Sequence, residues 1–311
     1  MWILLLTFVA VSAFDHSDCS FKHGASHVMC RYMHNFNKVY AANEFIMRKD
    51  NVMQRASHEQ QSDDTISFSL TVVSDRKFEK NHYLQSRPVT HHEKKKLLHM
   101  YHLPESLDLR DKMQPVKDQG QCGSCYTFSA VSVLEYHTGV SISEQKIMDC
   151  SSSENGPSYG CNGGWPETIF EYAKDSPVIL EKDQPYLEKN MPCNQTCTGS
   201  VMQVKRYGAI DHDKDEHAET RIPYILNTHG PVSVGIDVGT TELLMSYEDG
   251  IFPGIACGSE VDHAVTIVGY TPEYWIVRNS WSQDWGDAGY FYLERGVNAC
   301  GVASYISYIT T

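Results

Sequence analysis

Apolar positions change their spacing several times along the chain. Trp2 to Val11 is almost continuous hydrophobic sequence, and Val11-Ser12-Ala13 then supplies small residues. This run is well short of the ~20 residues a transmembrane helix needs, so residues 1–13 read as a secretory signal peptide, although Lys and Arg are missing from its start. A short membrane anchor is the alternative. No later stretch is long and apolar enough to span a bilayer, and no membrane insertion is expected. Tyr32 to Gln60 reads as helical: Phe36, Val39 and Tyr40 share a face, and Phe45, Met47, Val52 and Met53 supply later apolar positions. Phe68 to Val73 predicts a short strand, and His91 to His99 a basic helix or linker. Cys125 to His137 is helical, with Phe128, Val131 and Leu134 on one face and Gly139 as the stop. Ser143 takes the N-cap position of a second helix, Glu144 to Asp149. After Gly230 the spacing is that of short strands: Val232 to Ile236, Ala264 to Tyr270, Trp275 to Arg278 and Tyr290 to Glu294. Glu248-Asp249-Gly250 marks a turn. Helices followed by strands predict an α+β fold with two lobes.

Composition narrows the class. A chain of 311 residues with 41% hydrophobic and 21% charged residues is globular and long enough to bury a substantial core. The formal net charge of -13 argues against nucleic-acid binding, because phosphate is repelled. The charge is unevenly placed. Residues 14–102 carry 13 bases against 10 acids, and residues 103–311 carry 13 bases against 29 acids. Ten of the 15 histidines also lie in the first segment. Leu103-Pro104-Glu105-Ser106 reads as the start of a new module, so a basic, His-rich segment precedes an acidic one. Ten cysteines point to an oxidising compartment. No metal site is expected, because Cys122 and Cys125 lack a second ligand pair at zinc spacing.

Candidate chemistry begins at Gln119-Gly120-Gln121-Cys122-Gly123-Ser124-Cys125. A thiol where polar, Gly-rich chain enters a helix meets unpaired N–H groups and the positive end of the macrodipole, which favour thiolate. The same N–H groups can stabilise an oxyanion. Taken locally, Cys125 can be a nucleophile, half of a structural disulfide, or a redox partner of Cys122. A nucleophilic thiol needs a base, and the base an orienting group. His263, in Val261-Asp262-His263-Ala264-Val265, lies at the mouth of an apolar strand 138 residues after Cys125. Asn279, in Arg278-Asn279-Ser280-Trp281, follows 16 residues later, after one more strand. A hairpin-like return would bring it behind His263.

These motifs, with Pro115-Val116-Lys117-Asp118, Ser143-Glu144-Gln145, Asp149-Cys150, Gly160-Cys161-Asn162-Gly163-Gly164 and Gly250-Ile251-Phe252, resemble the papain family of cysteine peptidases, which includes the lysosomal cathepsins. The resemblance covers nearly all of residues 103–311. It implies a two-lobed papain-like fold with a mainly helical left lobe and a β-barrel-like right lobe, preceded by a helical prodomain. It also implies a peptide-bond hydrolase needing no cofactor, in which Cys125 attacks as thiolate, His263 is its ion-pair partner and acid, and Asn279 orients the imidazole. Trp281 would shield that contact, and Gln119 would donate to the oxyanion beside the Cys125 N–H. Gly163 and Gly164 would offer an open backbone edge to an extended peptide, with Gly123 and Asp262 also beside the substrate. Trp165, Pro166, Gly235, Val261 and Ala264 would line the pocket for the second residue before the cut. Tyr305 would floor that pocket or face the core from a strand.

The resemblance further implies disulfides Cys122–Cys161, Cys150–Cys193 and Cys257–Cys300 with Cys125 free, leaving Cys19, Cys30 and Cys197 unassigned. Asn194-Gln195-Thr196 is an N-glycosylation sequon. Residues 14–102 resemble the family's inhibitory propeptide: Asn37-Lys38-Val39-Tyr40 and Glu44 to Arg48 echo its helical core, and the motif erodes after Arg48. The expectation is a monomeric zymogen whose basic prodomain covers the acidic enzyme and lets go in acid. Its partners would be peptide or protein substrates, its own propeptide and cystatin-like inhibitors, in a lysosome-like vacuole or after secretion. Departures from the pattern are Tyr126 and Thr127 for Trp-Ala, Leu109 for Trp and Ser282 for Gly. No histidine-bearing insertion follows Gly164, so endopeptidase is expected before carboxydipeptidase. Aminodipeptidases share the Tyr but carry a long extra domain. The rivals are a catalytically silent binding relative and a redox protein.

Overall fold

The computed structural model describes residues 103–152, 159–194, 200–211, 215 and 217–310, and before them 29, 32, 33, 35, 36, 38, 42–58, 66–69, 71, 73, 74 and 76. The expected signal peptide, the basic segment at 91–99, and Cys19, Cys30 and Cys197 lie outside the described residues.

The helix expected over residues 32–60 is shorter than its apolar pattern. A first helical turn closes at Phe36, whose N–H reaches Tyr32 O at 3.0 Å, and helix α1 is Ala42–Ala56. Asn35 ends that turn, a residue type whose side chain competes with the backbone for hydrogen bonds. Met29, Tyr32, Met33 and Val52 then bury a small core of their own. Strand β1 is Ile66–Phe68, earlier than the expected 68–73. The chain turns directly afterwards: Thr71 N–H binds Ser74 Oγ at 2.7 Å, and Ser74 N–H binds Thr71 O at 3.0 Å.

The left lobe is built on α2 (Cys125–Thr138), α3 (Glu144–Ser151) and α4 (Pro166–Asp175). Gly139 ends α2 at φ 71°, donating to Glu135 O at 2.8 Å, a left-handed cap that favours glycine. Ser143 caps α3 by accepting from Lys146 N–H at 3.0 Å. Pro166 opens α4 at a position where no N–H is needed. Helix α2 differs from the one-faced helix its apolar residues suggested. Every residue from Cys125 to Glu135 is buried, because one side packs on the left-lobe helices and the other on the right-lobe sheet. Its hydroxyls serve the second contact: Ser129 Oγ donates to Val265 O at 2.6 Å.

The right lobe is a sheet of β2 (Leu107–Asp108), β3 (Tyr207–Asp211), β4 (Val232–Ile236), β5 (Tyr247–Phe252), β6 (His263–Tyr270), β7 (Tyr274–Arg278), β8 (Tyr290–Glu294) and β9 (Tyr305–Ile309), with β1 added to it. Helix α5 (Ala218–His229) packs on β4, β6 and β9. The order β1-β5-β8-β7-β6-β4-β9-β3 runs open from end to end, with β2 on β6. Glu248-Asp249-Gly250 is not the turn its composition suggests. It lies inside β5, with Gly250 opposite Ile66 and Asp249 opposite Ser67 of β1, and the register shifts at Glu248 before Tyr247 meets Phe68.

Residues ahead of 103 therefore complete the right lobe. Ile66, Phe68 and Val73 belong to the same buried core as Tyr247, Phe252, Trp285 and Phe291. Polar contacts lock this docking. Ser69 N–H binds Ser246 O at 2.8 Å, and Thr71 Oγ1 donates to Met245 O at 2.7 Å. Arg55 pairs with Glu242, and His58 Nδ1 meets Ser246 Oγ at 2.8 Å. Arg76 grips the Asp118 carboxylate with two bonds of 2.9 and 2.7 Å, one residue before Gln119.

Candidate active site

Three elements converge where the lobes meet. Cys125 is the first residue of α2, after the N-cap position of Ser124. His263 is the first residue of β6, and Asn279 follows the last residue of β7. Strands β6 and β7 pair antiparallel, with Thr266 opposite Arg278, and this return sets Asn279 behind His263. His263 Nε2 lies 2.9 Å from Asn279 Oδ1. The same oxygen accepts the Ser280 N–H at 2.9 Å, which fixes it as the amide oxygen. It can only accept from the ring, so Nε2 carries the proton and Nδ1 presents its lone pair. Nδ1 has no hydrogen-bond partner among the described residues. Trp281 stacks on the imidazole at 4.9 Å and 27°, and is itself braced edge-on by Trp285 at 5.1 Å. Ser282, next along, holds φ at 78°, a left-handed conformation that costs a serine roughly 1–2 kcal/mol and a glycine little.

The sulfur sits beside the histidine strand, for the backbone of Ala264 hydrogen-bonds to Cys125. Cys125 and His263 are both fully buried. Desolvation pushes the Cys125 thiol up to about 12, against the pull of hydrogen bonds from the backbones of Ala264, Tyr126 and Cys125 itself, and the charge of Asp262 raises it further. Desolvation also holds His263 down to about 4, opposed by its bond to Asn279. In the intact chain the helix terminus favours thiolate, and loss of water opposes it, pushing both groups towards their neutral forms.

Gln119 is held on both sides. Its Nε2 donates to Cys122 O at 3.0 Å, and its Oε1 accepts Ser280 Oγ–H at 2.6 Å. One N–H of the amide remains uncommitted among the described residues. Cys122 is bonded to Cys161, so it is unavailable as a redox partner of Cys125, the one free cysteine among the described residues. Cys150–Cys193 and Cys257–Cys300 are the other two bridges described.

The substrate-binding expectations divide. Gly123 is buried, with its N–H on Cys161 O at 2.9 Å. Gly163 turns both backbone groups inward, its carbonyl accepting from Tyr159 and its N–H donating to Gly160 O, so it does not present the free edge expected of it. Gly164 makes no backbone hydrogen bond among the described residues. Asp262 sends its carboxylate away to the N–H groups of Val238 and Gly239, at 2.8 and 2.9 Å. Trp165, Pro166, Gly235 and Tyr305 line one cavity, joined by Glu167, Ser233, Val234 and Ser307. Val261 and Ala264 do not line it and pack instead within the left-lobe core cluster. Tyr305 does both things open to it: it begins β9, paired with Asp211, and walls the cavity edge-on to Trp165 at 4.6 Å. Asn194 is exposed, and the rest of its sequon lies outside the described residues. No group of His, Cys, Asp and Glu able to hold a metal occurs among the described residues.

Sequence reading missed the groups that hold these side chains. Ser280, which fixes Gln119, stood within a quoted motif and was passed over. Lys117 joins the buried Glu135 and Glu144 and the part-exposed Glu181, at 2.7, 2.8 and 3.0 Å, under the same interlobe seam. Burial, opposed by Lys117 and aided by Glu135, pushes the Glu144 carboxyl above its ordinary range.

Comparison with known proteins agrees with this architecture. The profile described as papain family cysteine protease matches residues 103–310, and the chain belongs to that family. It is 40% identical over 222 residues to thiol protease aleurain of Arabidopsis thaliana, covering 66% of this chain and 60% of that protein. It is 34% identical over 301 residues to pro-cathepsin H of Mus musculus, covering 89% of this chain and 88% of that one. The solved structure of digestive procathepsin L 3 from Tenebrio molitor larval midgut superposes with a TM-score of 0.75 at 30% identity, over 93% of this chain and 100% of that one. Some of the curated relatives are longer, so that the alignment spans only 44% of cysteine protease 1 of Oryza sativa.

Proposed function

We propose that the chain is the zymogen of a cysteine endopeptidase. The observation that carries this reading is the free Cys125 at a helix N-terminus beside a His263 whose tautomer is set by Asn279. In the uncovered enzyme, His263 Nδ1 takes the thiol proton and the thiolate attacks the scissile carbonyl. The oxyanion is met by the Cys125 N–H and the uncommitted N–H of Gln119. The imidazolium then protonates the leaving amine, and water completes hydrolysis of the thioester. Gly164 is the backbone available to pair with an extended peptide, and Trp165, Pro166, Gly235 and Tyr305 would meet a neighbouring side chain. Three disulfides suit an oxidising route, and acid activation suits a vacuolar or lysosomal destination. The test is an acid-matured sample, under reducing conditions, offered a fluorogenic peptide library and a thiol-reactive epoxide. Cleavage that disappears on labelling of Cys125 alone supports the reading. Absence of cleavage after the first 102 residues are gone would make the chain a silent binding relative.

Residues 14–102 are its inhibitory propeptide, and His58 is one trigger of release. Its ring meets Ser246 of the right lobe at 2.8 Å, and Arg55 beside it in its own segment pairs with Glu242 and reaches the Met245 sulfur. Burial first, then the positive Arg55, hold it down to about 4. A free histidine titrates near 6.5, so between about 6.5 and 4 the released form binds a proton that the docked form refuses. Docking is fully stable above that window and weakens as pH falls through it, by at most about 3 kcal/mol from this group. His58→Gln is expected to move the onset of maturation, followed by gel, to lower pH. Superimposed pH curves for the variant and the native chain would remove His58 from the mechanism.

A further inference from the structure

Residues 184–191 form a strap across the loop that carries Gln119 and leads into Cys125. Tyr186 is its centre. The Tyr186 hydroxyl donates to Gln119 O at 2.9 Å and lies 2.7 Å from Ser124 Oγ. A phenol has one proton, so with Gln119 O accepting it, Ser124 must donate to the phenol oxygen. The ring stands edge-on against Phe128 of α2, at 4.8 Å and 89°. One hydroxyl thus ties together the residue bearing the side-chain amide and the residue immediately before the nucleophile.

The strap is held against both the loop and the helix beneath. Gln121 N–H donates to the Glu188 carboxylate, and Cys161 N–H to Asn190 Oδ1 at 2.7 Å. Gln145 of α3 receives Leu187 N–H at 2.8 Å and donates to Lys189 O at 2.9 Å, and Asp149 receives Met191 N–H at 2.9 Å. Glu188 sits at φ 58°, a conformation that non-glycine residues keep only where surroundings enforce it. Gly120 beneath it holds φ at 63°, a left-handed conformation that favours glycine.

We propose that Tyr186 is a positioning residue for the oxyanion hole. It sets the distance between the Gln119 amide and the Cys125 N–H, so that both donors converge on one point. The proposal rests on the reading of Gln119 and Cys125 given above. Preorganised donors matter because a misplacement of about 1 Å can cost on the order of 10²-fold in rate. Burial keeps the phenol above its ordinary range, so it stays protonated and able to donate.

The test uses the acid-matured enzyme with Tyr186→Phe, Gln119→Ala and the double variant. Tyr186→Phe is expected to lower kcat about 10-fold with KM nearly unchanged, since the donors act on the transition state. In the Gln119→Ala background the same change is expected to cost no more than about twofold, because only one donor remains to be aligned. Alkylation of Cys125 by iodoacetamide, which forms no oxyanion, is expected to keep its rate in Tyr186→Phe. An equal fold-loss in both backgrounds, or a matching fall in alkylation, would show a general structural role and overturn the proposal. An unchanged kcat in Tyr186→Phe would overturn it too. Full activity in Gln119→Ala would instead bring down the underlying reading of the oxyanion hole.

Discussion

Peptidase activity is expected to fall on the order of 10⁶-fold when Cys125 becomes serine, the scale seen on removing the nucleophile of a comparable hydrolase. The geometry explains why so small a change is so costly. His263 is oriented by Asn279 through a 2.9 Å bond and has Nδ1 left to accept one proton. A thiol surrenders that proton readily once water returns, and a serine hydroxyl does not. The Gln119 amide and the helix N-terminus survive the substitution, so a residual rate above water is expected from the oxyanion hole and binding. His263→Ala is expected to cost a similar amount, and the double variant little more, because the two act as one unit. Fluorogenic peptide hydrolysis with matured protein measures all three. A Cys125→Ser enzyme retaining a hundredth of the native rate would mean that another group is the nucleophile.

The second large effect concerns reactivity before maturation. Desolvation raises the Cys125 thiol in the full chain, so little of it is thiolate at neutral pH. An uncovered cysteine near its usual 8.5 is about 3% thiolate, and more with a helix terminus and an imidazolium beside it. We propose that residues 14–102 supply part of that burial, so labelling by a small alkylating reagent is expected to rise when they are removed. The signs also fix a pH window. His263, lowered to about 4, stabilises the folded chain above about 6.5 and withdraws that support as pH falls towards 4. Cys125, raised to about 12, stabilises the folded chain below about 8.5 and withdraws support as pH climbs above it. The folded chain is expected to be most durable between those two limits. Equal labelling rates before and after maturation would show that the thiol was never masked.

Much of this was legible in the residues, and the failures have physical causes. Helices α2 and α3 announced themselves through Gly139 and Ser143, since caps are local chemistry. Strands β4 and β6 to β8 were legible as short apolar runs between turn residues. Strand β5 was misread because Glu248-Asp249-Gly250 is turn-forming in isolation, and only pairing with β1 makes it a strand. Helix α4 was overlooked although Pro166 at its first position and Ile169, Phe170 and Ala173 on one face were visible. Helix α5 was hidden by Pro223, a residue that reads as a helix breaker yet sits inside Ala218–His229. The triad positions were readable through motifs, but their supports were not. Tyr186 reaches Gln119 across 67 residues, and Ser280 reaches it across 161. No local period carries such information.

Strand β5 would have a second life after the proposed maturation. With β1 gone, its outer N–H and C=O groups become a vacant rung at the rim of the sheet, a ready template for any extended chain. Glu248 and Asp249 stand exposed along that rung. Another copy of the enzyme would bring the same two negative charges to the meeting and be turned away, as charged edges do elsewhere. The rim is thus guarded by its own charge against stacking with another copy.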